Sequence, residues 1–166
     1  MNKNLFLLAL ALTLSCSANQ GPLKHPMDKS ESKTIKLENG LKVYLLSDPD
    51  FNVCAASMSV EVGSYQDPDN RQGMAHFLEH MLFLGTEKYP DVDEYSTYLK
   101  TFGGYSNAYT AGDHTNYQLQ VLPDGFEGSL DRFAQFFISP LFTEEYTSRE
   151  VNAVNSEYQK NIMNDG

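Results

Sequence analysis

Positive charge is scarce in this chain: 12 Lys and Arg stand against 22 Asp and Glu, a formal net charge of −10 over 166 residues. Phosphate backbones are gripped by clustered Lys and Arg, so a nucleic-acid surface is excluded and neutral or cationic partners are expected. Cysteine is scarce as well. Only Cys16 and Cys54 occur, which rules out a disulfide framework, and if Cys16 is lipidated or removed no intramolecular pair is left. Cys54 falls in an apolar strand pattern and reads as a small buried side chain. Hydrophobic residues make up 41% of the chain and aromatics 12%, enough for one core and not two.

The apolar run at residues 5–12 follows Lys3 and is too short for a spanning helix, so residues 1–16 read as a targeting segment. Thr13-Leu14-Ser15-Cys16-Ser17 looks like a bacterial lipoprotein signal, in which Cys16 becomes the lipidated first residue. The fit is imperfect, because leucine is usual three places before the cysteine and Thr13 stands there. Ordinary cleavage near Ala18 is the competing reading. Either route exports the protein, and the first implies a periplasmic chain anchored to a membrane by lipid. Residues 17–33 are polar, broken by Pro22 and Pro26, and read as a flexible tether; 34–166 form the domain.

The informative stretch is Gly73-Met74-Ala75-His76-Phe77-Leu78-Glu79-His80-Met81-Leu82-Phe83-Leu84-Gly85. On a helix, His76 and His80 lie one turn apart, about 6 Å along the axis and within about 40° of each other. Two imidazoles so placed can grip one ion. Glu79 flanks the same face but is displaced from the line joining the rings, which puts a carboxylate beside the ion rather than on it. Ala75, Phe77, Leu78, Met81, Leu82 and Phe83 wrap most of the helix, the pattern of burial on nearly all sides. A buried carboxylate beside two imidazoles needs compensation, and a divalent cation that accepts the histidine lone pairs provides it. Two satisfied core histidines are the alternative.

Elsewhere the chain alternates between strand and helix signals. Residues 34–37 and 41–46 flank Glu38-Asn39-Gly40, a hairpin signal, and residues 53–62 read as a third strand with Ala56, Met58, Val60 and Val62 on one face. Asp91 and Glu94 have the spacing of a reciprocal cap for a helix running to Phe102. Residues 106–110 and 115–121 form a second hairpin, whose turn holds His114, read as an exposed turn histidine rather than a further ligand. Asp124 can cap a helix in which Phe126, Leu130, Phe133 and Phe137 form a core stripe ending before Pro140, and a last helix begins at Thr143. The fold class expected is α+β: a mostly antiparallel sheet with helices packed on one side.

Two histidines leave a catalytic zinc site short of one protein ligand. The last helix offers Glu150 and Glu157, about 20° apart on one face but roughly 10 Å apart along the axis, so a straight helix does not easily bring both to one ion. One can ligate while the other holds an imidazole nitrogen from outside. Spacing does not choose between them.

The chain resembles the inverted-motif zinc metallopeptidases, in the branch of pitrilysin and insulin-degrading enzyme. The likeness is densest at residues 76–86, 104–110, 114–117, 130–137 and 149–157. It implies that His76, His80 and Glu157 bind Zn²⁺, that Glu79 is the base, and that Glu150 is the carboxylate behind the ligands. It implies that peptide substrates pair with the strand holding Asn107 and Ala108. It also implies a far longer enzyme, whose further half, in the same chain or in a partner subunit, closes over the site, so that these 166 residues alone are weakly active or inactive. A non-catalytic partner subunit and a metal-binding lipoprotein are the other readings, and manganese or cobalt can replace zinc.

Overall fold

The computed structural model describes residues 24–162. The targeting segment and the lipid on Cys16 expected for residues 1–23 lie outside the described residues. The described chain divides into two compact units, one ending at Pro49 and one beginning at Asp50. The first holds an antiparallel hairpin of β1 (Glu31–Lys36) and β2 (Lys42–Ser47). Its turn works as the Asn-Gly signal demands: Gly40 takes a φ of 91°, and Asn39 Oδ1 accepts the Leu41 amide at 3.1 Å. β1 starts earlier than expected, at Glu31, so the end of the stretch read as tether is strand.

The second unit is built on a three-stranded sheet in the order β3-β5-β4, with β3 at Cys54–Val60, β4 at Tyr105–Thr110 and β5 at Thr115–Val121, both pairings antiparallel. In central β5 every second residue, Thr115, Tyr117, Leu119 and Val121, is buried. That period of two puts one face of the sheet against the helices and leaves the other to solvent. Val62, expected on the inner face of β3, lies past the strand end and is exposed.

Helices α1 (Met74–Met81), α2 (Glu94–Thr101) and α3 (Pro123–Gln135) supply the rest of the core, where Leu82, Tyr95, Leu99, Phe133 and Phe136 meet the inward face of β5. Tyr95 and Phe136 stack edge to face with centroids 4.9 Å apart. The expected stripe on α3 is only partly right. Leu130 is exposed, while Gly125 and Ser129 occupy the buried positions two turns and one turn before Phe133. The reason is close approach to α2: a Cβ on Gly125 would fall inside the Phe102 ring, and one on Gly128 inside the Tyr98 phenol.

Neither expected cap forms in full, although Asp91 Oδ1 does accept the Asp93 amide at the start of α2 at 2.9 Å. Glu94 does not turn back to the start of α2; its carboxylate takes Arg132 Nε at 2.7 Å and Nη2 at 2.5 Å, and that guanidinium lies 3.7 Å from the Tyr98 ring centroid. Asp124 lies in the first turn of α3, which opens on Pro123 after Leu122 as its cap residue. α4 (Glu144–Ile162) completes the unit.

One connection positions α1. Gly73, which precedes the helix, has a φ of 88° and no side chain to cap with. Asp67 does the capping from the preceding loop: its Oδ2 accepts the Gly73 amide at 2.7 Å and its Oδ1 the Ala75 amide at 2.8 Å. The loop is itself bound to the β4–β5 turn, where Ala111 O accepts the Ser64 amide at 2.9 Å and Gly112 O the Tyr65 amide at 2.8 Å.

Two outcomes are expected. Asp67→Ala should lower the unfolding free energy by about 1–2 kcal/mol, read by denaturant titration, since two helix-start amides lose their acceptor. Burial, with the Glu79 charge adding to it, pushes the Tyr117 phenol up from 10.0 to about 12, and burial pushes Tyr95 up as well. A raised folded value means the contribution is complete below the unfolded pKa. It is lost as pH rises from 10.0 toward about 12, where the unfolded phenol ionises and the folded one does not. The melting temperature should therefore fall across that window, and less steeply in Tyr117→Phe.

Candidate metal centre

α1 carries His76, Glu79 and His80, and α4 packs across it carrying Glu150 and Glu157. α1 is less enclosed than its composition suggests: Ala75, Glu79 and Met81 are buried, but Met74 and Leu78 are more than 40% exposed, at 43% and 45%. The helix has an inner face toward the sheet and an outer one, and the histidines lie half-buried between them.

The two Nε2 atoms of His76 and His80 stand 3.1 Å apart, their rings nearly perpendicular at 83°. Glu157 Oε2 lies 3.4 Å from the first and 3.9 Å from the second. On the other side of its ring, His80 Nδ1 meets Glu150 Oε2 at 3.0 Å. A carboxylate only accepts, so His80 Nδ1 carries the proton and, in the neutral ring, Nε2 turns its lone pair toward His76 and Glu157. The structure thus separates the two α4 glutamates, which spacing left open. An imidazole presents one nitrogen to each, and the i, i+7 separation is bridged by a ring rather than by a single atom.

This donor set fits a four-coordinate divalent cation. Ligand atoms about 2.0–2.2 Å from a tetrahedral centre lie roughly 3.3–3.6 Å from one another. The triangle here has edges of 3.1, 3.4 and 3.9 Å. Without a cation, lone pairs of two imidazoles and a carboxylate oxygen crowd one point. The Glu157 side chain is 49% exposed, so the cluster is reached by solvent from the α4 side.

Glu79 is not one of the three converging donors. It is 7% exposed, and its Oε2 accepts the Thr110 hydroxyl at 2.6 Å. Asn107 and Ala108 sit on β4, an edge strand among the described residues that packs beside α1; Asn107 is exposed and Ala108 half-buried. His114 stays outside the cluster, its Nδ1 2.7 Å from Asp113 Oδ1 and its Nε2 3.3 Å from Tyr109 Oη. Cys54 is free and half-buried.

Two residues of this arrangement escape the sequence reading. Thr110 lies on the inner side of β4 with Ser106 and Ala108, so strand alternation could have placed it near α1 but not against Glu79. Asp67 acts across a loop and leaves no local signal.

The family model of insulinase, peptidase family M16, matches residues 42–166. The human protein named insulin-degrading enzyme is 54% identical over 142 residues, covering 86% of this chain and 14% of that one. A Schizosaccharomyces pombe protein named as the putative zinc protease mug138 is 51% identical over 139 residues, covering 84% of this chain and 14% of its own length. The crystal structure of pitrilysin superposes with a TM-score of 0.77 at 42% identity, covering 82% of this chain and 14% of that one. The chain therefore spans about 14% of the length of relatives it matches. With a match running through both metal-site helices and the strand beside them, the chain belongs to the insulinase family, peptidase family M16.

Proposed function

We propose that this chain is the metal-binding, proton-transferring part of a zinc endopeptidase that hydrolyses peptide bonds in oligopeptides or small proteins. The observation that carries the reading is the convergence of His76, His80 and Glu157 on one point, with a buried acid, Glu79, on the same helix. His76 Nε2, His80 Nε2 and a Glu157 carboxylate oxygen would hold the zinc. When bound, zinc supplies Lewis acidity, acidifying water and polarising a carbonyl.

The chain's own groups do the rest. Glu150 fixes the His80 tautomer and ring orientation through the 3.0 Å bond at Nδ1. Glu79 accepts a proton from the attacking water and delivers it to the leaving amine nitrogen. The open edge of β4 pairs with substrate backbone near Asn107 and Ala108, and main-chain pairing tolerates many sequences. Enclosure of the site comes from further chain or from a partner subunit, so we expect these 166 residues alone to hydrolyse peptides weakly or not at all. Export and a lipid on Cys16 complete the proposal as a periplasmic, membrane-anchored protein.

Zinc binding and cleavage of an internally quenched peptide test it together, the cleavage being measured with whatever further chain or subunit the enzyme requires. Parent and Glu79→Gln should each bind one zinc, and Glu157→Ala should bind it more weakly by about tenfold or more. Cleavage should stop on chelation and fall about a hundredfold or more in Glu79→Gln. Parent-rate cleavage by Glu79→Gln would remove that residue from the role of base, and unchanged zinc affinity in Glu157→Ala would remove it from the ligand set.

A further inference from the structure

We infer that Thr110 is a positioning residue for the proton-transferring carboxylate, holding Glu79 in the one orientation from which its second oxygen meets the attacking water. The inference rests on the proposed role of Glu79 and adds to it the group that makes a flexible acid directional.

Glutamate has three rotatable bonds, and in a solvated setting its carboxylate samples many directions. Glu79 is 7% exposed and does not have that freedom. Its Oε2 accepts the Thr110 hydroxyl proton at 2.6 Å, within the range of a charge-assisted O–H···O⁻ bond. One oxygen is thereby committed and the other is left for water. Threonine suits the task because its β-branched side chain has little χ1 freedom, so the donor is as well placed as the strand that bears it.

That strand end is unusually well placed. Thr110 closes β4 and stands opposite Thr115 of β5, whose hydroxyl donates to Val62 O at 2.8 Å. Immediately beyond it, Ala111 pairs with His114 across the turn at 2.8 Å and accepts the Ser64 amide at 2.9 Å. Gly63 lets the loop come this close, since a Cβ there would collide with the Ala111 carbonyl and the His114 amide. The loop continues to Asp67, which caps α1 and so fixes the helix that carries Glu79. Hydrogen bonds therefore run from β4 through the loop to the start of α1, and the Thr110–Glu79 bond closes the circuit. The same strand offers its open edge to peptide backbone, so substrate and proton acceptor are referenced to one element.

Thr110→Val keeps the shape and removes the donor, while Thr110→Ser keeps the donor. In the active enzyme the valine variant should bind zinc with parent affinity and show a parent KM while kcat falls about 10–100-fold, and serine should restore most of kcat. In metal-free protein, the Glu79 side-chain carboxyl ¹³C resonance, assigned by its absence in Glu79→Gln, should move in Thr110→Val and return in Thr110→Ser. If Thr110→Val is active at the parent rate while Glu79→Gln is dead, the inference falls and the base assignment stands. If Glu79→Gln is as active as the parent, both fall. Should Thr110→Val fail to fold, Thr110→Ala with Thr110→Ser decides: equal kcat in the two overturns the inference, and recovery in serine alone upholds it.

Discussion

The imidazole of His80 is the one ring of the site that meets both glutamates of α4, while His76 meets Glu157 alone. His80 Nδ1 is bonded to Glu150 at 3.0 Å and its Nε2 faces His76 at 3.1 Å, so both nitrogens are committed and the ring has one orientation and one tautomer. Everything else in the site is defined relative to it. Glu150 sits at its back and Glu157 at its front, and the i, i+7 spacing on α4 is the length needed to reach both sides of a ring. Reversing the two glutamates would need the ring to turn over, and the i, i+4 relation to His76 forbids that.

The polar circuit from β4 through residues 63–67 to α1 serves the same end by different physics. α1 is short, eight residues, and a helix of two turns is not stable on its own propensity. Two devices hold it. Ala75, Glu79 and Met81 pack inward, and Asp67 answers the amides that a glycine cap cannot. The buried carboxylate of Glu79 is tolerated because Thr110 satisfies one of its oxygens. It also acts on its surroundings: the Tyr117 phenol, buried behind it, is held neutral partly by that charge.

How much of this is legible in the sequence depends on the range over which each feature acts. The His76, Glu79 and His80 pattern is local and follows from 3.6 residues per turn; the Asn39-Gly40 hairpin and the alternation in β5 follow from two-residue periodicity. The choice between Glu150 and Glu157 is not local, because it turns on where α4 crosses α1, and spacing alone left it open. Glu94 pairs with Arg132 rather than with its own helix start because a half-buried guanidinium between two tyrosines outbids one exposed amide. Leu130 was read as core because periodicity weighs size, whereas α3 meets α2 through Gly125 and Gly128, where the absence of a side chain is what permits the contact. Asp67 and Thr110 are polar residues acting across long sequence separations, and nothing nearby in sequence marks such partners.

The two halves of the site are held with unequal firmness, and this bears on how metal affinity arises. The α1 half is fixed by the core and by the circuit just described. Among the described residues of α4, by contrast, none is fully buried; Ala153 and Val154 are half-covered and Val151 and Tyr158 exposed. A helix of 19 residues with so little apolar burial depends on its polar contacts as well, and here those include Glu150 and Glu157 against the two histidines. Anything that binds the three converging donors therefore also binds α4 to α1, and by linkage the factor by which a contact that seats α4 raises affinity for the ion is the factor by which the ion strengthens that contact. Elements packed on the outer side of α4 would act on the metal without touching it, through the angle at which Glu157 meets the two rings.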